Sequence, residues 1–190
     1  SLQDPAAIAQ AFAVDASDVV VDEVVHTIRI ACGGTLDAAR EALGTRGPTL
    51  NLLGGFHHAG RARGGGFCIV NDIAVAVAAV RREGFKKRVA VLDLDAHPPD
   101  GTADCFAGDP SVWIGSRSGA DWGKLDGVDE TVLPRDCDDG SYLSALHALL
   151  ARMPPAGLAF VLAGGDVLKH DRFGALAMTL DGVRRRDLAV

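Results

Sequence analysis

Hydrophobic and polar positions fall into two kinds of block along the chain: short unbroken apolar runs, and longer stretches with apolar residues three or four apart. Val89-Ala-Val-Leu and Leu158-Ala-Phe-Val-Leu-Ala163 read as buried strands, Ser111-Val-Trp-Ile-Gly115 as a further strand, and Thr49-Leu-Asn-Leu-Leu53 as a short β-like run. Helical spacing runs over residues 19–43 through Val20, Val24, Ile28, Ala31, Leu36, Ala39 and Leu43, with Gly44 as the stop. Gly33-Gly34 inside it either permits close packing or divides the helix in two. Val70-Asn-Asp72 starts a second helix that ends at Gly84, residues 101–106 a third, and Ser141 to Met153 a fourth, which Pro154-Pro155 stops. Residues 179–187 begin a last one, residues 1–18 are a helical or loose lead-in, and residues 120–139 read as a loop with at most one short strand. Strand, helix, strand is the order of α/β proteins with a mainly parallel sheet.

Composition narrows what this pattern builds. A chain of 190 residues suits a single domain able to bury roughly 70% of its unfolded surface. With 48% hydrophobic and 23% charged residues, and no apolar run near the ~20 residues of a membrane span, it reads as a soluble globular protein. No charged and apolar leader opens the sequence, which points to the cytoplasm. A net charge of −6 argues against non-specific nucleic-acid binding and suits cationic substrates such as lysine side chains or polyamines. Cys32, Cys68, Cys105 and Cys137 are widely spaced and form no C-x-x-C pair, so they read as free thiols.

The candidate chemistry lies at the ends of the apolar runs. Ligands of open α/β sheets bind beyond the carboxyl ends of parallel strands. There the first strand delivers Asp93, Asp95, His97 and Asp100, and the last delivers Asp166. Asp and His are ligand types that a borderline divalent metal accepts. Taken alone, the first stretch is either a metal-binding rim or a strand running into a polar loop, and Asp166 either a ligand or a turn former. Three ligands from Asp95, His97 and Asp166 would leave a position for water. His57-His58, between glycines, are either a surface-loop pair or an acid/base pair. The glycine-rich stretch at 64–66 lacks the spacings of a phosphate-binding loop, and Gly115-Ser-Arg-Ser-Gly119 has Arg117 where a nucleophile elbow needs serine.

Four motifs occur in an order that resembles the zinc-dependent histone deacetylases: Gly54-Gly-Phe-His-His-Ala, Gly65-Gly-Phe-Cys-x-x-Asn-Asp72, Asp93-x-Asp-x-His97-x-x-Asp-Gly-Thr102 and Ala163-Gly-Gly-Asp-x-x-x-x-Asp171. The resemblance covers residues 29–187, and the wording around Phe56, Asp95 and Asp166 is most similar to the class IV branch and its bacterial relatives. It implies a three-layer α/β/α arginase/deacetylase-like fold, incomplete here, and a hydrolase that removes an acetyl or longer acyl group from lysine, a protein or a polyamine. It further implies Zn(II) or Fe(II) on Asp95, His97 and Asp166, and His57 and His58 as acid/base pair with Asp93 behind the first and Asp100 behind the second. Gly66 would contact substrate through its backbone, and Phe67 would wall the acyl-lysine channel. Asp93 and Ser116 would hold a structural K+ or Na+.

Two features depart from that pattern. Pro98-Pro99 follow His97 where relatives carry a polar residue and glycine, so the loop to Asp100 loses two backbone donors. The family's oxyanion tyrosine has no counterpart, because Tyr142 is the only tyrosine and falls in a helix. The chain is then either a portion of a longer enzyme, missing an opening strand and the last strands, or a relative that binds acylated ligands with weak turnover. An arginase-like ureohydrolase is the other enzyme class: Asp95-Ala-His-Pro-Pro-Asp100 misses its Asp-Ala-His-x-Asp motif by one residue, and its second Ser-x-Asp-x-Asp run is not visible.

Overall fold

The computed structural model describes residues 2–190. The chain divides into two compact units, one of residues through Lys87 together with Asp100–Ala107, the other of Arg88–Pro99 and Gly108–Val190.

The second unit carries a four-stranded sheet in the order β3-β2-β1-β4, formed by β1 (Val89–Asp93), β2 (Val112–Ser118), β3 (Val128–Val132) and β4 (Leu158–Leu162). All three pairings are parallel, as the strand, helix, strand order predicts. Strand β1 is buried throughout, which explains its unbroken apolar run. The chain proceeds from β1 to β2 to β3 and then returns to the other side of β1 for β4. The carboxyl ends of β1 and β4 therefore flank the point where strand order reverses, the usual ligand crevice of such sheets.

Helix α5 (Asp139–Leu150) is capped by Asp138, whose side chain accepts from the Ser141 N–H, and sets Tyr142, Leu143, Leu146 and Leu149 on its buried side. These residues join Leu92, Leu94, Val167 and Met178 in the core. Burying each leucine contributes about 2 kcal/mol. Helix α6 (Leu180–Leu188) follows, capped by Thr179. Strand β4 differs from the expected fully buried strand: Leu158 and Leu162 point inward, but Val161 is 43% exposed. It pairs only with β1, so its other edge is open among the described residues.

The first unit is helical. Helix α1 (Pro5–Phe12) occupies the lead-in, and α2 (Val21–Thr45) runs without a break through Gly33-Gly34. Close packing is the reason for the second glycine: a Cβ on Gly34 would lie 2.9 Å from the Asn51 side chain. Asn51 is held there by bonds from its Nδ2 to the Ala31 carbonyl and to Thr35 Oγ1. The stop is displaced from Gly44, since the helix continues to Thr45 and closes on Arg46 in the left-handed region. The expected β run at residues 49–53 is absent: Asn51 and Thr49 bond to α2 instead, and Leu50 and Leu52 are over 80% exposed. Helices α3 (Asp72–Arg82) and α4 (Asp100–Cys105) complete the unit.

Candidate metal centre and histidine pair

In the second unit, β1 ends at Asp93 and the chain bends through Asp95-Ala-His97 by successive side-chain turns. Asp93 Oδ1 accepts from the Asp95 N–H at 3.2 Å, and Asp95 Oδ1 from the His97 N–H at 2.9 Å. Asp166, just beyond β4, accepts from the Ala96 N–H at 3.1 Å. His97 Nδ1 is thereby clasped between Asp95 Oδ1 at 3.0 Å and Asp166 Oδ2 at 2.9 Å. Hydrogen bonding to Asp166 and then to Asp95 raises the imidazole to about 10, against the opposing effect of burial. Glycine at 164 leaves room for this approach, since a Cβ there would lie 2.5 Å from Asp95 Oδ2 and 2.8 Å from Asp166 Oδ1.

Among the described residues, these three side chains form the group whose ligand atoms converge, all within 4.8 Å of one another. The donor set fits a divalent metal. Two carboxylates and one imidazole suit zinc, and two anionic groups drawn to one imidazole make a strongly cation-attracting point. Trp122 adds a half-exposed ring 5.9 Å from that of His97. Sequence reasoning missed it inside the loop at 120–139, where an aromatic among Gly and Asp residues was the available signal. Pro98 and Pro99 are both buried, and Pro99 directly precedes the first residue of α4, where the leading N–H groups have no partner within the helix. Tyr142 is fully buried, its hydroxyl donates to the Leu94 carbonyl, and burial raises its pKa, so it supplies no oxyanion donor.

In the first unit, His57 and His58 are buried neighbours with ring centroids 4.0 Å apart. The structure sets Asp100 against His58, with Nδ1 and Oδ1 2.6 Å apart. Burial opposes the ionised form of Asp100. Hydrogen bonds from His58 and Arg63 together outweigh it and hold the carboxyl below its usual range. Gly66 lies in the left-handed region at φ +51°, and a Cβ there would overlap the His58 ring. Phe67, also left-handed at φ 62°, is half exposed. With Phe12, Val24, Ile28, Leu53 and Phe56 it lines a largely apolar cavity of about 380 Å³. Asp93 is fully buried at the end of β1, in register with Ser116 on β2.

The Asn-Asp pair has a role that its motif alone does not reveal. Asn71 caps α3 and also bonds the Ala59 carbonyl and Thr102 Oγ1. Asp72, 1% exposed, accepts from the Gly55 and Phe56 N–H groups and from Thr35 Oγ1, which fixes the backbone just before the histidines. Asp72→Ala would strand three donors, so urea unfolding should show a loss of about 3 kcal/mol or more. A loss below about 1 kcal/mol would contradict that anchoring role.

The sequence model described as the histone deacetylase domain matches residues 3–190, spanning both units. An uncharacterized protein of Picosynechococcus sp. is 38% identical over 183 residues, which is 88% of this chain and 57% of that protein. Histone deacetylase 2 of Arabidopsis thaliana is 32% identical over 178 residues, covering 89% of this chain and 46% of its own length. The crystal structure of an HDAC homolog from Aquifex aeolicus matches with a TM-score of 0.74 at 26% identity, over 84% of this chain and 47% of that one. The chain thus spans about half the length of the curated relatives it matches.

Proposed function

The chain belongs to the histone deacetylase domain family, and from that premise we propose that it is the metal-dependent part of an amide hydrolase that removes acyl groups from lysine or a related amine. The convergence of Asp95, His97 and Asp166 at the strand-order reversal is the observation that carries this reading. Those three would hold Zn(II), or Fe(II), and the metal when bound supplies Lewis-acid polarisation of the scissile carbonyl and of water.

The chain's own groups do the rest. An ionised Asp100 only accepts, so His58 carries its proton on Nδ1 and keeps the Nε2 lone pair for a proton from the attacking water. The same Nε2–H then protonates the leaving amine as the C–N bond breaks. His57 shares this proton traffic. Gly66 contacts substrate through its backbone, while Phe67 walls the acyl-lysine channel. The cavity beside Phe67 leaves room for an acyl group longer than acetyl. Asp93 and Ser116 hold a structural K+ or Na+, a reading supported by Ser116 Oγ, which is buried with no hydrogen-bond partner among the described residues. The four thiols carry no disulfide, which suits a cytoplasmic protein.

The test is a substrate panel on the zinc-loaded full chain: acetyl-lysine peptide, long-chain acyl-lysine peptide, acetylpolyamine and arginine. Amine release from one or more acylated substrates is expected. Urea release from arginine would instead favour a ureohydrolase, and binding of acylated ligand without product would favour the weak-turnover relative.

A further inference from the structure

Arg63 lies in the basic loop between the histidine pair and Gly66, outside the motifs that define the site. Its Nη2 donates to Asp100 Oδ2 at 2.8 Å, and its Nη1 to the His58 carbonyl at 3.3 Å. The other Asp100 oxygen faces His58 Nδ1. One carboxylate is thus divided between an imidazole and a guanidinium, and the same guanidinium grips the backbone of the residue that bears the imidazole. Resting on the acid/base role proposed for His58, we propose that Arg63 is a positioning residue that fixes the Asp100 carboxylate against Nδ1, so that His58 stays in its Nδ1–H tautomer with Nε2 toward the substrate.

The chemistry of the three groups favours this division of labour. A carboxylate has two acceptor oxygens and can turn either toward the ring; occupying Oδ2 leaves Oδ1 as the one facing His58. Arginine stays charged at every working pH and presents donors in a rigid fork, so a single side chain can hold both the carboxylate and the carbonyl. Its side chain is 48% exposed, and salt screens its longer-range pull, which leaves orientation by direct hydrogen bonds as its main effect. Other titratable groups face the same cluster within this unit. The His57 ring lies beside that of His58, tilted by 40°; Asp104 of α4 receives the Arg61 N–H; Cys68 and Cys105 direct their thiols at the Gly66 and Ala59 carbonyls. The lowered carboxyl of Asp100 accords with two donors on one carboxylate. A depressed carboxyl keeps its contribution above its ordinary pKa and loses it as pH falls through the folded value. Removing Arg63 therefore moves that loss to higher pH.

The experiment compares the full zinc-loaded chain with Arg63→Gln and Arg63→Lys. It records kcat and KM for acyl-lysine hydrolysis against pH, together with the ¹⁵N signals of the His58 ring, assigned with a His58→Gln variant. Arg63→Gln is expected to lower kcat about tenfold with KM within about twofold, to shift the acid limb to higher pH, and to reduce the Nδ1–H signature. Arg63→Lys should restore most of kcat and of that signature. An unchanged Nδ1–H signature in Arg63→Gln would overturn the proposal, as would equal impairment of the Lys and Gln variants. The ring signals decide the point even if the unaltered chain releases no amine, in which case the hydrolase reading fails separately.

Discussion

Replacing Asp166 with alanine is expected to remove bound zinc and to cut deacylation by at least about a thousandfold, several kcal/mol of lost carbonyl polarisation. Asp166 occupies both of its oxygens, one on the Ala96 N–H and one on His97 Nδ1. Without it the centre keeps two protein ligands, Asp95 and His97, and the His97 ring loses the stronger of its two partners. The backbone around it should survive, because β4 and its pairing with β1 end at Leu162, before this residue. Zinc content by metal analysis, turnover on an acyl-lysine peptide and far-UV circular dichroism on one sample separate the outcomes. A variant that retains both one equivalent of zinc and turnover would take Asp166 out of the centre.

His58→Ala should behave differently: zinc is retained, KM is little changed, and kcat falls by about a hundred- to ten-thousandfold, the range for loss of a positioned general acid/base. The ring is buried, its Nδ1 is committed to Asp100, and Gly66 packs against it with no space for a Cβ. Such enclosure fixes the direction of Nε2, which is what proton transfer to a reacting atom demands. Steady-state kinetics beside zinc content gives the result, and unchanged turnover would remove His58 from the acid/base role.

The parts of this molecule governed by local pattern could be read from the residues. Strand β1 announced itself because both of its faces are buried, and Asn71 marked the start of α3 because a cap bonds within one turn. Residues 49–53 misled because Leu50 and Leu52 have the composition of a strand, whereas the backbone follows the side-chain bonds of Thr49 and Asn51 to α2. Gly33-Gly34 was ambiguous for the same reason: the deciding neighbour, Asn51, lies seventeen residues from Gly34 in sequence and in contact with it in space. Of the candidate site, Asp95, His97 and Asp166 were legible as carboxylates and an imidazole at strand ends, and Asp100 as a partner of His58 through resemblance. Arg63, Trp122 and the clamp made by Asp72 were not, because their significance lies in contacts across 37, 25 and 17 residues of chain. Spacing rules see neighbours within a turn or a strand, and these contacts form only once helices and strands have packed.

Titrating Zn(II) into the metal-free full chain while following deacylation of an acyl-lysine peptide tests the central claim most directly. Activity should be absent without metal, rise linearly, and saturate at one equivalent per chain, with a chelator reversing it. Activity that persists through chelation, or that requires two equivalents, would contradict a single metal held by Asp95, His97 and Asp166.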